Sequence, residues 1–275
     1  MRISHTIGSA LVVCFIGATA CFSASADAAE SQQSTVDGFI SQGRDALRAR
    51  KPDEAINAFD SAIALDPTSA IAFYNRAAAR RQKQDTEGAL ADYDKAISID
   101  PAYAEAYRMR GNLWHMKRVT DRAMSDYNRA IELKPNDALN YLLRGVLWIS
   151  QRDHTKAYQD FDRAILEDPK LVEAYVQRGQ LYHHDRKLDL ALADLDEAIK
   201  IDPTNGRAYT VRGNIWLEMK PASESLDHAI ADFEQAAKAN PSDQLAQGQL
   251  QAATNMRQLF ETLKTEREKK KTEQK

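Results

Sequence analysis

Apolar positions recur along most of the chain at two nested intervals, three or four residues within a segment and 34 residues between segments. Ala55, Ala89, Ala123, Ala157, Ala191 and Ala229 are each followed four residues later by Phe59, Tyr93, Tyr127, Phe161, Leu195 and Phe233. Three residues on stand Ala62, Ala96, Ala130, Ala164, Ala198 and Ala236, and then Pro67, Pro101, Pro135, Pro169 and Pro203, with Pro241 following at 38. A second set fills the first half of each unit. Phe39, Phe73, Tyr107, Tyr141, Tyr175 and Tyr209 open it, and Gly43, Ala77, Gly111, Gly145, Gly179 and Gly213 come four residues later. From the third unit on, Trp114, Trp148, Tyr182 and Trp216 follow after three more. Spacings of three and four put each set on one helical face, so every unit predicts two amphipathic helices. Small residues mark the close approach of the two helices, where a larger side chain would overpack by about 1–3 kcal/mol. Each aromatic opposite contributes area that no single unit could shield. Proline ends the second helix because it lacks an N–H and pushes the preceding residue out of helical conformation. Asp66, Asp100, Asp168 and Asp202 before it suit that turn.

This set of columns closely resembles the tetratricopeptide repeat. Framed by that pattern the units are 36–69, 70–103, 104–137, 138–171, 172–205 and 206–243, or 5 × 34 + 38 = 208 residues. The resemblance implies an all-α, right-handed superhelical solenoid of helix-turn-helix repeats, whose stacking buries one continuous core. The sixth unit carries four extra residues around Met219 to Ser223, expected to lengthen its inter-helix loop. Beyond Pro241, Leu245, Leu250, Ala253, Met256, Phe260 and Leu263 space as an amphipathic capping helix over 244–263. Residues 264–275 read as a solvated, frayed charged tail.

The family resemblance also implies a ligand position. First helices of such repeats line a concave groove that takes extended peptides or partner helices. Unit four supplies Leu139, Leu142, Val146 and Ile149 at the groove positions, an apolar strip. Polar rows flank it, with Arg108, Asn112 and His115 from unit three and Val176, Gln180 and His183 from unit five; Tyr74 extends the row in unit two. An apolar strip rimmed by polar groups suits a protein or peptide partner, with a second copy of the chain as the alternative occupant. On this reading Leu142 and Val146 should tolerate Asp without loss of fold. Of the positions with which chaperone-binding members of the family grip a C-terminal carboxylate, only Asn75 matches.

Two charged columns share the 34-residue period. Arg76, Arg110, Arg144, Arg178 and Arg212 precede the Gly/Ala column, and Asp92, Asp126, Asp160, Asp194 and Asp232 precede the second-helix aromatic. Arginine near a helix–helix seam needs a partner, which predicts a structural ladder of Arg–Asp bridges within or between units. His183 and His184 are adjacent, so their side chains diverge by about 100° on a helix and do not hold one ion together. His154 and His228 read as isolated. No Gly-x-Ser-x-Gly, phosphate-binding glycine loop or dinucleotide fingerprint occurs. The expectation is therefore a non-enzymatic protein with no cofactor and no metal.

Composition narrows the setting. The 275 residues carry 37 Lys+Arg against 40 Asp+Glu, a net charge of −3 that argues against a general nucleic-acid binder. At the amino terminus Arg2, the apolar run Ile7 to Phe22 and Ala24-Ser25-Ala26 have the form of a secretory signal peptide over 1–26. Cleavage after Ala26 or Ala28 would remove both cysteines, Cys14 and Cys21; after Ala26 it leaves a net charge of 36 − 40 = −4. Residues 27–35 read as a disordered linker. The chain is expected in the periplasm. The alternative is a membrane-anchored lipoprotein acylated at Cys21, which is the one route to a membrane.

Overall fold

The structure, a computed structural model, describes residues 31–219 and 223–273. Among them are thirteen α-helices and no strand. The chain divides into two compact units, the first ending at Leu133 and the second beginning at Lys134.

The first unit holds α1 (31–48), α2 (Pro52–Leu65), α3 (Ala70–Gln82), α4 (Thr86–Ile99), α5 (Ala104–Met116) and α6 (Thr120–Leu133). They pack as consecutive pairs, with α3 against α4 and α5 against α6, while α2–α3 and α4–α5 contacts join successive repeats. The second unit holds α7 (Ala138–Ser150), α8 (His154–Glu167), α9 (Val172–His184), α10 (Leu188–Ile201), α11 (Gly206–Glu218), α12 (Ser223–Ala239) and α13 (Gln244–Glu273). Here α7–α8, α9–α10 and α11–α12 are the pairs, and first helices also touch first helices, α7 with α9 and α9 with α11.

The apolar columns are the core. Phe59, Tyr93, Tyr127, Phe161, Leu195 and Phe233 are all fully buried. The glycine column lets them in: a Cβ on Gly145 would lie 2.6 Å from the Phe161 ring, and one on Gly213 would lie 2.7 Å from that of Phe233. Separations under 3 Å are closer than carbon atoms pack, so the absent side chain sets the helix spacing at these positions.

The turns have their own chemistry. Between the helices of a repeat the chain passes through a left-handed residue that is not glycine: Arg50, Gln84, Arg118, Arg152 and Arg186 have φ of 56–64°. At each, paired backbone bonds close a Schellman motif, as in Val119 N–H to Trp114 C=O at 2.9 Å and Arg118 N–H to His115 C=O at 2.9 Å. Between repeats, the Asp carboxylates accept from the backbone two residues on, Asp66 from Thr68, Asp100 from Ala102, Asp168 from Lys170 and Asp202 from Thr204, each at 2.9 Å. The Asp-Pro pair thus both stops a helix and shapes the following turn.

Four expectations need correction. Residues 31–35 are not a disordered linker but the first turns of α1, where Gln32 donates to the Leu65 carbonyl at 2.8 Å. The extra residues of the sixth repeat mainly lengthen a helix: α12 has 17 residues where α10 has 14. The cap does not stop at 263, and 264–273 are not frayed, because α13 continues as one helix to Glu273. Nor is its apolar face fully used. Ala246 and Ala253 are buried and Leu250 packs on the Phe233 cluster, yet Leu245, Met256 and Leu263 stay exposed. The expected leader 1–26, with Cys14 and Cys21, and residues 27–30 lie outside the described residues. No described helix is long and apolar enough to cross a membrane.

Candidate partner-binding site

The charged ladder holds this surface in place. Each arginine of the column reaches across its repeat and donates from Nε and Nη2 to one carboxylate: Arg76 to Asp92, Arg110 to Asp126, Arg144 to Asp160, Arg178 to Asp194 and Arg212 to Asp232, at 2.6–2.9 Å. These bidentate bonds match the planar guanidinium to the planar carboxylate. All five carboxylates belong to buried residues. At Asp126 burial raises the pKa, and the bonds from Arg110 only partly offset it. The opening aromatic of each unit covers its arginine, with Phe73, Tyr107, Tyr141, Tyr175 and Tyr209 ring centroids 5.3–5.9 Å from the guanidinium carbons.

Sequence reasoning missed the ladder's second half. Nη1 of Arg76, Arg110, Arg178 and Arg212 donates to Asp60, Asp94, Asp162 and Asp196 of the preceding repeat, at 2.5–2.6 Å. Each of these four arginines therefore ties its own two helices together and ties its repeat to the one before. The signal was present as a further acidic column one residue after the buried second-helix residue, with Asn128 as its exception.

On the first-helix face of the first unit, Tyr74 is half-buried and packs on Tyr103, ring centroids 4.9 Å apart, with Tyr93 beyond at 5.7 Å. Arg108, Asn112 and His115 are half-buried along α5. Burial alone lowers the His115 pKa, which favours its neutral form.

In the second unit the predicted apolar strip divides. Leu139 is 41% exposed, and Val146 and Ile149 are half-buried. Leu142, at 5%, is buried, as is Val176 at 0%, so neither belongs to the open face. Their shared column explains why. The fifth residue of a repeat faces the neighbouring first helix, and Val176 sits in a cluster with Ala208, Val211 and Ile215 of α11. An apolar side chain there is taken into the core, and an Asp at Leu142 would be a charge without water.

What remains open is a cleft of about 670 Å³ between α7 and α9. Ile149 and the buried Leu181 line it, Gln177 and Gln180 supply amides, and Arg152, His154 and His184 complete the lining. A polar network adjoins it: Arg207 bonds to both Glu173 and Gln180, and Gln177 donates to Glu173 at 2.7 Å. His183 instead faces Glu218, at 3.0 Å.

His154 is not isolated. Its Nδ1 lies 2.8 Å from Asp185 Oδ1, and Nδ1 of His184 lies 3.0 Å from the same oxygen. The Tyr158 hydroxyl donates to Asp185 Oδ2 at 3.0 Å. Partial desolvation works against ionising Asp185, but the bonds from His184, Tyr158 and His154 outweigh it and hold its pKa below the ordinary range. The equivalent position between earlier repeats carries a single ion pair, Lys83 with Asp53 and Lys117 with Glu87, each 30 residues apart. That repeating offset of nearly one unit could have pointed to His154 and Asp185, 31 apart.

Sequence comparison matches the tetratricopeptide repeat over residues 40–104 and again over 172–205. No curated protein matches the sequence closely enough to count as a relative. Among solved structures, PilF of Pseudomonas aeruginosa aligns with a TM-score of 0.69 at 18% identity, over 81% of this chain and 99% of its own. A chain of the APC/C Cut9–Hcn1 hetero-tetramer aligns with a TM-score of 0.68 at 17% identity, over 82% of this chain but 46% of its own, so the present chain spans about half that protein. YrrB, described as a repeat protein with an unusual peptide-binding site, aligns with a TM-score of 0.51 at 25% identity, over 70% of this chain and 98% of its own.

Proposed function

Taking as premise that the chain is a tetratricopeptide-repeat protein, we propose that it is a non-enzymatic scaffold whose α7–α9 face binds an extended peptide or a partner helix. The observation that carries this reading is the cleft itself. Apolar surface from Ile149 lies beside the Gln177 and Gln180 amides on helices braced by the arginine ladder. An apolar anchor side chain would pack on Ile149, while the amides pair with the segment's backbone and so fix its register. Exposed Leu139, at the other end of α7, extends the contact. The ladder keeps the face preorganised, which reduces the entropy cost of binding. The peptide-binding description of YrrB supports this reading by likeness of fold.

Leu139→Asp combined with Ile149→Asp tests it. Crosslinking pull-downs from cell envelopes, with wild type and variant side by side, should lose one partner in the variant while the melting temperature stays close to wild type. Recovery of the same partners by both would overturn the cleft as the binding face, and recovery of the chain alone would show self-assembly. Export through residues 1–26 is part of the same proposal. N-terminal sequencing of envelope-purified protein should begin at Asp27 or Ala29, and an acylated Cys21 would instead establish the anchored form.

A further inference from the structure

We propose that His154, His184 and Asp185 form a binding site for a late first-row divalent ion of the Zn²⁺ type, bracing the fourth repeat against the fifth. The inference does not depend on a partner in the cleft. Two imidazole nitrogens and one carboxylate oxygen are the donors such an ion prefers. Their ligand atoms lie within 4.8 Å of one another. A tetrahedral ion with bonds of about 2.0–2.1 Å holds its ligands roughly 3.3 Å apart. The two Nδ1–Oδ1 separations are 2.8 and 3.0 Å, so each need open by only about half an ångström.

The surroundings suit the role. His154 is the first residue of α8 and His184 the last of α9, so the ion would join elements of different repeats that are already in contact. The Tyr158 hydroxyl on Oδ2 fixes the carboxylate plane, the outer support a metal-binding carboxylate needs. Tyr158 is in turn held by stacking on Tyr182 at 4.7 Å. The His184 side chain is 71% exposed, which gives the ion an entry path, and the neighbouring cleft leaves room for water in the fourth position. On binding, each neutral imidazole carries its proton on Nε2 and presents the Nδ1 lone pair; the carboxylate supplies the negative charge. Between earlier repeats the same join is made by one Lys–carboxylate pair.

Titration calorimetry of the full, untagged chain with ZnCl₂, supported by Co²⁺ absorption spectra, tests this. One ion per chain is expected, with tetrahedral Co²⁺ bands and a Zn²⁺-dependent rise in melting temperature. His184→Gln and His154→Gln should each abolish binding, and Tyr158→Phe should weaken it about 10- to 100-fold. Circular dichroism of each variant separates loss of the site from loss of fold, and exposed His184 makes its variant the safest. His183→Gln should change nothing. Absence of binding at millimolar Zn²⁺, or binding that survives His184→Gln and disappears with His183→Gln, would overturn the proposal.

Discussion

The two carboxylates on Arg178 offer the sharpest test of how the repeats are held together. Asp194 accepts two bonds, at 2.8 and 2.7 Å, with only 9% of its side chain exposed. Asp162 accepts one, at 2.5 Å, with 58% exposed. Removing one partner of a buried pair costs about 3–5 kcal/mol because the other charge is stranded. Arg178 is itself 18% exposed and would keep Asp162, so Asp194→Ala should cost about 2–3 kcal/mol, below that range. Asp162→Ala removes an exposed contact and should cost about 0.5 kcal/mol. Urea unfolding followed by circular dichroism reads the totals. Hydrogen exchange along α9 and α10 shows whether the loss is local, which matters because repeat arrays need not unfold in one step. The paired change Arg178→Met with Asp194→Leu should recover most of the loss, since well-packed apolar residues often replace a buried pair without penalty. Equal losses from Asp194→Ala and Asp162→Ala would refute the argument, because they would mean burial does not set the value of each bond.

Further predictions follow from the same geometry. Gly145→Ala should destabilise by about 1 kcal/mol or more, since its Cβ meets the Phe161 ring at 2.6 Å. Gly179→Ala, whose nearest neighbour is Leu195 at 3.2 Å, should be neutral or gain up to about 1 kcal/mol from helix propensity; thermal melts distinguish the two. Arg118→Gly should raise stability by about 0.5–1 kcal/mol, because φ of 60° strains any residue with a Cβ, and a lower urea midpoint would contradict it.

Much of the fold could be read directly from the chain. Small residues, aromatics and Asp-Pro at a fixed period specify two helices per unit and the turn that ends each pair, because those effects are local: periodicity, close approach and the geometry of proline. The buried Arg–Asp pairing was legible for the same reason, since repetition in every unit marks a requirement of the scaffold. Tertiary structure alone decided where apolar means exposed. Leu142 and Val176 share the residue types and spacing of Leu139 and Ile149, and only contact with neighbouring helices separates buried from open. It also decided that the charged stretch after 263 extends a helix, and that three of the sixth repeat's four extra residues go to lengthen α12. The His154–His184–Asp185 cluster belongs to this second class as well. Its members lie up to 31 residues apart, and stacking of successive repeats, not any spacing within a helix, brings their ligand atoms together.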